Sequence, residues 1–419
     1  MWVGSGLSFL CHVERSRKRP KEESDLQKDV AGASFFAFDR PLKAAGRLFG
    51  AAPATRDFDV LQAGNTVESI HGLFFGGRSV FGLDAVGGLL AFQRERGIGV
   101  STEAGAIPVC PAACIFDLAS KETSPEVPPP DDFPVLSPQD IRRACLEAQR
   151  LNGTKETLGS SSDTQSRPIR LRCVLGEDNE AVEIQQCECE DNRGTEPNQK
   201  RRSLSAGCST SQASSSFLPV PPSSWLGSIG AGVRARCGGL RRPGCFQDPQ
   251  GGWGEARQQR TWPGHEESQA TLLVEVYAVV NCFGDVIPNV RGGEHQASFK
   301  ETELTHSTAR LLRESDPDEL MARITPENTT LVAVFTNAVL DKVALHRICT
   351  MTATGIARAI RPAFTPVDGD LVVALSTGEL QTHGKKLIAE IIVGSMAAEC
   401  AEKAIQNAVA ASNARPRAA

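Results

Sequence analysis

The chain has 419 residues, of which 40% are hydrophobic and 23% charged, so it is long enough to bury the core of one large domain or two smaller ones. Its net charge of −5 and aromatic content of 5% argue against a nucleic-acid partner, which would favour a basic surface with stacking rings. The acidic balance, and the lack of an apolar run of membrane-spanning length, argue against a membrane partner.

The 13 cysteines are odd in number and scattered, without a CxxC pair. Disulfide frameworks are typical of short secreted chains with an even count, so we expect reduced thiols and a cytoplasmic location, with organelle targeting left open. The 7 histidines are isolated and no HExxH spacing occurs. The sequence therefore predicts neither a metal nor an organic cofactor.

The first segment with a pattern typical of helices or strands begins after residue 30. Residues 1–30 carry an apolar stretch ahead of their basic residues, the reverse of a secretory signal, and are interpreted as a disordered leader. Residues 31–118 form the first part of the predicted folded domain. Within it, GLDAVGGLLAFQRERGIG (residues 82–99) is predicted to be a helix, because its apolar residues recur at helical spacing before Gly97.

The composition then changes over residues 119–228. A proline-rich acidic stretch leads into SPQDIRRACLEAQRL, which predicts one short helix with Ser137 as its cap. Ser, Thr, Gln, Asn and charged residues dominate the rest. Because such a segment buries too little apolar surface to offset its ordering entropy, we interpret residues 119–228 as a disordered, low-complexity insertion with one helix.

The second part of the folded domain, residues 229–419, carries the strongest patterns. Three apolar runs predict strands: TLLVEVYAVVN, TLVAVFTNA and DLVVALSTG. A helix stopped by Pro362 is predicted between the second and third runs, and a long helix with a broad apolar face is predicted near the C-terminus. Long helices mixed with apolar strands indicate layers of helices packed on sheets.

Four segments, in the same order along the chain, resemble the S58 (P1) peptidases. They are GGRSVFGLDAVGGLLAFQRERGIG with IPVCPAACIFDL, then IGAGVRARCGGL, then VVNCFGDVIP, and last the stretch from NTTLVAVF to DGDLVVALSTG. The resemblance implies an α+β fold, a four-layer αββα sandwich similar to N-terminal nucleophile hydrolases. It also implies a precursor that cleaves itself, and a homo-oligomer of the processed heterodimers. The implied activity is release of N-terminal residues from small peptides, or hydrolysis of amino-acid amides or esters, without a cofactor.

The resemblance places the cleavage site between Asn328 and Thr329. Cleavage would make Thr329 an N-terminal residue, whose α-amine can accept the proton of its own hydroxyl. The residues alone leave two alternatives open, since the triplet NTT is also a glycosylation sequon and a plausible polar start of a strand.

Five further residues take roles from the resemblance. Asp368 and Asp370 match the family's pair of acidic or hydroxyl residues beside the nucleophile, and Asn281 matches a side-chain amide that donates to the oxyanion. Ser79, in a glycine-rich segment that lines the pocket, and Phe116, where some members carry tyrosine, are expected to bind substrate. Without the resemblance, a turn or a strand end explains each of the polar residues equally well.

The chain also departs from the family pattern. Arg78 stands where the family generally has glycine, and a bulky side chain there would narrow the pocket or strain the turn. No lysine occurs between Lys200 and Lys300, although several members carry one after the glycine-rich segment, and Arg236 is a poor substitute because a guanidinium does not act as a general base. The family's opening strand is not recognisable before Ala31. Two alternatives to a hydrolase therefore remain: an acyltransferase of the ornithine acetyltransferase type, and a folded pseudoenzyme that does not cleave.

Overall fold

The structure is a computed structural model that describes residues 7–16, 30–118, 135–156, 169–175, 181–186, 216–217, 226, 229–237, 251–263, 269–287, 308–324 and 328–414. The strands are β1 (Leu7–Ser16), β2 (Val30–Leu48), β3 (Ala54–Arg56), β4 (Ser69–Gly76), β5 (Val100–Thr102), β6 (Gly105–Ile107), β7 (Ala112–Cys114), β8 (Ile169–Leu175), β9 (Ala181–Gln186), β10 (Ser216–Phe217), β11 (Gly252–Pro263), β12 (Gln269–Asn281), β13 (Asp285–Val286), β14 (Thr329–Ala338), β15 (Ile360–Arg361) and β16 (Leu371–Leu380). The helices are α1 (Ser79–Gly82), α2 (Val86–Glu95), α3 (Pro138–Glu156), α4 (Thr308–Glu314), α5 (Pro317–Arg323), α6 (Lys342–Ala359) and α7 (Lys386–Ala414).

Twelve of the described strands form one hydrogen-bonded sheet that is continuous through the long strand β2, and its two halves, which pack on each other, are named sheet A and sheet B. The C-terminal half of β2 pairs with β16 and completes sheet A, in the order β10–β11–β12–β14–β16–β2. Its N-terminal half pairs with β1 on one side and β4 on the other, and this half belongs to sheet B, in the order β9–β8–β1–β2–β4–β7–β3. The pairing of β2 with β4 shifts register between Ala37 and Leu42. The strand therefore joins the two sheets covalently.

Side-chain alternation sorts the core into three layers. Along β12, Val274 and Val276 pack in a cluster with α6 and α7, whereas Leu273 and Tyr277 pack in a second cluster with residues of sheet B such as Phe36. A third cluster lies between sheet B and the helices α2 and α3. The order helix, sheet, sheet, helix is the four-layer αββα sandwich that the resemblance implies.

The strongest sequence patterns are confirmed as helices and strands. The three apolar runs of the second part form β12, β14 and β16, and α2 and α7 occupy the predicted helical segments. The carboxylate of Asp341 caps α6 by accepting a hydrogen bond from the N–H of Ala344 at 2.8 Å. The helix ends at Ala359, shortly before Pro362. None of the described helices is both long enough and apolar enough to cross a membrane.

The interpretation of residues 1–30 as a disordered leader is wrong for residues 7–16, which form β1 inside sheet B. β1 pairs antiparallel with β2 and parallel with β8, and Phe9, Leu10 and Cys11 are fully buried. A strand covered on both faces has a continuous apolar run rather than an alternating one, and the run here is short. Apart from Val30, which begins β2, the rest of the predicted leader lies outside the described residues.

The interpretation of residues 119–228 as a disordered insertion with one helix is wrong in part. The helix forms as α3, and the hydroxyl of Ser137 donates to the carboxylate of Asp140 at 2.8 Å at its start. However, β8 and β9 extend sheet B beyond β1, and β10 pairs with β11 at the edge of sheet A. Local composition does not predict these strands, because pairing with β1 and β11 stabilises them. Most other residues of this segment lie outside the described residues.

Candidate active site

Three strands of sheet A meet at one end of the sheet. β12 ends at Asn281, which lies directly opposite Thr329, the first residue of β14. β16 starts at Leu371, immediately after the Asp368–Gly369–Asp370 turn, and is parallel to β14. Because parallel strands start at the same end of a sheet, the topology brings together the candidate residues from three separate parts of the chain.

The alternation of side chains decides which layer Thr329 and Asn281 face. Leu331 and Val279, two residues further into their strands, both pack in the cluster between the two sheets. Side chains two residues apart share a face, so Thr329 and Asn281 also face this layer. Each is 3% exposed. The candidate nucleophile therefore lies at the end of the inter-sheet layer and not on the helical side of sheet A.

The hydroxyl of Thr329 lies against the carbonyl group of the residue before it. Thr329 Oγ1 donates to the carbonyl oxygen of Asn328 at 2.6 Å, and the backbone N–H of Gly369 donates to the same oxygen at 2.9 Å. A Cβ atom at Gly369 would lie 2.7 Å from Thr329 Oγ1 and 2.8 Å from the carbonyl oxygen of Ala52. Glycine is therefore needed at this position for the backbone to approach the hydroxyl so closely.

Asp368 and Asp370 both accept hydrogen bonds from the main chain around Thr329. One oxygen of Asp370 accepts from the N–H of Thr330 at 2.6 Å and the other from the N–H of Phe364 at 3.2 Å. Asp368 accepts from the N–H of Phe283 at 3.2 Å and from both the N–H and the hydroxyl of Thr365. Each carboxyl group is 1% exposed. The pair therefore joins the start of β14 to the turn after β12 and to the loop before β16.

Burial changes the acidity of this pair. Burial and, to a smaller extent, the negative charge of Asp368 together raise the pKa of Asp370 to about 7, against the opposing hydrogen bonds from Thr330 and Phe364. Burial also raises the pKa of Asp368. Two buried carboxyl groups on either side of one glycine favour either a shared proton or a positive charge nearby.

Asn281 links sheet A to two other segments. Its Oδ1 accepts from the backbone N–H of Arg236 at 2.8 Å, and its Nδ2 donates to the carbonyl oxygen of Phe116 at 2.9 Å. A backbone N–H only donates and a carbonyl only accepts, so these two partners fix the orientation of the amide. The side chain of Arg236 is exposed, and the residue reaches the site through its main chain.

Phe116 and Ser79 come from the end of sheet B. Phe116 is half-buried and follows β7, and its carbonyl oxygen brings this segment to Asn281. Ser79 begins α1, and its N–H donates to the carbonyl oxygen of Ile115 at 2.9 Å. The structure therefore brings Phe116 into contact with the site, whereas Ser79 reaches the site through the segment that carries Phe116.

The turn before Ser79 is strained. Arg78 has a φ of 66° and Ser79 a φ of 52°, both in the left-handed region that favours glycine. Arg78 is 2% exposed, its N–H donates to the carboxylate of Asp117 at 2.5 Å, and its guanidinium donates to the carbonyl oxygen of Val30 at 3.0 Å. Of the two expected consequences of an arginine here, the strained turn is the one that the backbone shows, and buried hydrogen bonds hold that turn in place.

Sequence reasoning missed two groups of the site, the N–H of Gly369 and the N–H of Arg236. Both are main-chain donors, and every residue except proline carries such a group, so no residue type signals it. For the N–H of Gly369, the sequence offers one signal, a glycine between two aspartates. Within the described part of the chain, no group of three or more His, Cys, Asp or Glu side chains is close enough to hold a metal ion.

Two curated relatives are similar in sequence to most of this chain. An uncharacterized aminopeptidase of Mycobacterium tuberculosis is 27% identical over 373 residues, covering 85% of this chain and 78% of that protein. Another, of Mycobacterium leprae, is 27% identical over 379 residues, covering 86% of this chain and 77% of that protein.

Solved structures share the fold at low identity. A β-aminopeptidase of Burkholderia sp. is 14% identical with a TM-score of 0.51, covering 98% of this chain and 85% of that one. The L-aminopeptidase D-Ala-esterase/amidase of Ochrobactrum anthropi, described as a new variant among the Ntn hydrolase fold, is 15% identical with a TM-score of 0.52 at the same coverage. These likenesses establish the fold as that of the N-terminal nucleophile hydrolases.

A family model described as peptidase family S58 matches residues 176–417. The match spans more than half of the chain and includes Asn281, Thr329 and both aspartates. This protein belongs to peptidase family S58 and is a hydrolase of peptide or amide bonds.

Proposed function

We propose that this chain is the precursor of an aminopeptidase that cleaves itself between Asn328 and Thr329 and then uses Thr329 as its N-terminal nucleophile. The observation that carries the proposal is the position of Thr329 Oγ1, 2.6 Å from the carbonyl oxygen of Asn328, with the N–H of Gly369 donating to that oxygen at 2.9 Å. A nucleophile and a donor for developing negative charge thus meet at one carbonyl group, as acyl transfer requires.

In the proposed processing step, Thr329 Oγ1 forms a bond to the carbonyl carbon of Asn328. The bond from that carbon to the nitrogen of Thr329 breaks, and the hydroxyl proton ends on the departing nitrogen. The N–H of Gly369 stabilises the negative charge that develops on the carbonyl oxygen. Water then hydrolyses the resulting ester, which releases chains of residues 1–328 and 329–419.

In the proposed turnover, the new α-amine of Thr329 is the base. An α-amine has an ordinary pKa of about 7.7–8.0, near enough to neutrality to accept the hydroxyl proton and return it. The buried carboxyl groups of Asp368 and Asp370 offset the positive charge of the ammonium form. Thr329 attacks the substrate carbonyl, the amide of Asn281 donates to the oxyanion, and water opens the acyl-enzyme.

The substrate we propose is a small peptide or an amino-acid amide, bound with contributions from Phe116 and Ser79. The support comes from the relatives, which are named aminopeptidases, and from the structural neighbours, which are named β-aminopeptidase and L-aminopeptidase D-Ala-esterase/amidase. We also propose a homo-oligomer of processed heterodimers as the assembly, on the basis of the family resemblance.

N-terminal sequencing of the smaller band on a denaturing gel, together with intact mass, tests the proposal. The smaller chain should start at Thr329. Thr329→Ala should remain full-length and inactive, whereas Thr329→Ser should process, because the hydroxyl survives. Thr330→Val is the matched control, since Thr330 is equally buried and adjacent, and it should also process. A smaller chain that starts elsewhere, or an uncleaved wild-type chain after prolonged incubation, would contradict the proposal.

A second measurement separates hydrolysis from acyl transfer. Processed enzyme should convert an amino-acid amide to the free acid at an unchanged rate when an amine acceptor is added, with no acylated amine formed. An acylated amine as the main product would instead identify an acyltransferase.

A further inference from the structure

Polar side chains of β1 and β2 lie buried between the sheets. His12 and Ser34 are fully buried, and Glu14 is 4% exposed. His12 Nδ1 and Ser34 Oγ are 2.8 Å apart and hydrogen-bonded. Burying such groups is costly unless they are hydrogen-bonded, so their partners indicate what they hold in place.

Their partners are in the glycine-rich loop of residues 229–237. Glu14 Oε1 accepts from the N–H of Gly230 at 2.9 Å, and Ser34 Oγ accepts from the N–H of Ala231 at 3.0 Å. Gly230 has a φ of +49°, and a Cβ atom there would lie 2.3 Å from Ser34 Oγ and 2.8 Å from His12 Nδ1. The start of the loop is therefore packed so closely against β1 and β2 that no side chain fits at Gly230.

Successive turns connect this end of the loop to the active site. The N–H of Val233 donates to the carbonyl of Gly230 at 3.1 Å, and the N–H of Ala235 donates to the carbonyl of Gly232 at 3.2 Å. The next N–H, that of Arg236, donates to Asn281 Oδ1 at 2.8 Å. A shift of the loop at Gly230 is thus passed to the hydrogen bond that orients Asn281.

We propose that Glu14, Ser34 and His12 are positioning residues for Asn281, acting through the loop of residues 229–237. The inference rests on the proposed role of Asn281 as oxyanion donor. That role requires the amide N–H at about 2.7–3.1 Å from the oxyanion. Without the N–H of Arg236 on Oδ1, the amide can rotate away from this position. β1 thereby contributes to catalysis through the loop of residues 229–237.

The first test compares Glu14→Ala with Glu14→Gln in the processed enzyme. Glutamine keeps an acceptor oxygen for the N–H of Gly230, and alanine does not. Glu14→Ala should lower kcat roughly tenfold with KM changed less than about twofold, because the lost interaction acts in the transition state. Glu14→Gln should restore most of the turnover. Ser34→Ala, a smaller change, should lower kcat by severalfold. It replaces Glu14→Ala in this test if that variant does not fold.

Gln93→Ala is the matched control. Gln93 is fully buried, and its Nε2 donates to the carbonyl oxygens of Phe38 at 2.8 Å and His71 at 2.5 Å, within sheet B. Its loss should lower the melting temperature as much as Glu14→Ala does and leave kcat unchanged. If kcat falls as much in Gln93→Ala as in Glu14→Ala, general destabilisation explains the effect of Glu14→Ala and the proposal is overturned.

The decisive measurement is a double-mutant cycle with Asn281→Ala. In that background, Glu14→Ala should have no further effect on kcat. If both changes lower kcat independently, or if Glu14→Ala alone has no effect while Asn281→Ala slows turnover, the positioning role fails and the role of Asn281 stands. If Asn281→Ala itself leaves kcat unchanged, the proposed oxyanion donor is wrong.

Discussion

Sheet A and sheet B contribute different kinds of atoms to the candidate active site. Sheet A contributes side chains at strand ends, those of Thr329 and Asn281, with the aspartate pair just before β16. Sheet B contributes main-chain atoms, through the carbonyl of Phe116, and it holds the loop that carries the N–H of Arg236. Substitutions in sheet A should therefore act through the identity of the side chain, whereas substitutions in sheet B should act through displacement of the main chain.

The largest effect is expected where the two sheets meet, at Asn281. Asn281→Ala should lower kcat of the processed enzyme roughly a hundredfold or more, because it removes an oxyanion donor. Steady-state kinetics with an amino-acid p-nitroanilide measures this. Asn337 is the control, since it is also buried and joins β14 to β12, through the N–H of Leu273 at 2.9 Å and the carbonyl of Thr271 at 2.8 Å. Asn337→Ala should reduce stability and leave kcat within a few-fold; equal losses in the two variants would contradict a catalytic role.

Gly369→Ala tests the main-chain donor in the turn just before β16. The added Cβ atom meets Thr329 Oγ1 at 2.7 Å and the backbone oxygen of Ala52 at 2.8 Å, so the N–H must move away from the carbonyl of Asn328. Processing should slow roughly tenfold to a hundredfold, measured as the half-time of conversion on a denaturing gel. Gly64→Ala, where nothing lies within 4 Å, should process at the wild-type rate. Normal processing of Gly369→Ala would show that this N–H does not assist the step.

The raised pKa of Asp370 gives a prediction about stability and pH. A carboxyl group with a pKa of about 7 when folded and an ordinary value of 3.8 binds its proton more tightly in the folded chain. Its contribution to stability is therefore fully present below about pH 4 and is lost as the pH rises through about 7. In the unprocessed Thr329→Ala chain, lowering the pH from 8 to 5 should increase the free energy of unfolding more than it does after Asp370→Asn is added. Urea unfolding at both pH values measures the difference.

Asp341 supplies the control for this prediction. Its hydrogen bond with Lys386 lowers the pKa of its carboxyl group, so its titration lies below pH 5. Asp341→Asn should leave the difference between pH 8 and pH 5 unchanged. If Asp370→Asn behaves in the same way, Asp370 does not titrate near neutrality in the folded chain.

The smallest effect is expected for a polar segment that lies outside the described residues. Deleting residues 190–212, whose polar composition offers little to bury, should leave soluble yield and processing unchanged. Deleting residues 169–186 should lower the melting temperature instead, because it removes β8 and uncovers the edge of β1. Loss of soluble protein from the first deletion would show that its residues contribute to the fold.

The sequence by itself determined the elements with strong hydrophobic periodicity and their chemistry. The apolar runs of β12, β14 and β16 and the helical spacing in α6 and α7 are local patterns, and each is confirmed. The order of the S58-like segments identified Thr329, Asn281 and the aspartate pair, and the register between β12 and β14 sets Thr329 opposite Asn281. The apolar patterns are readable because residue type alone carries them, whereas the roles of Thr329, Asn281 and the aspartate pair come from the resemblance and stay predictions.

Only the tertiary structure decided the position of β1 and the contacts of the loop at residues 229–237. The run LSFLCHV is too short to predict a strand from the sequence. It forms one because β2 and β8 pair with its two edges. Glu14 accepts a hydrogen bond from the N–H of Gly230 only because folding brings together two residues that are more than 200 positions apart in the chain. Main-chain donors such as the N–H of Gly369 and Arg236 are identical in nearly all residues, so their direction follows from the fold and not from the residue type.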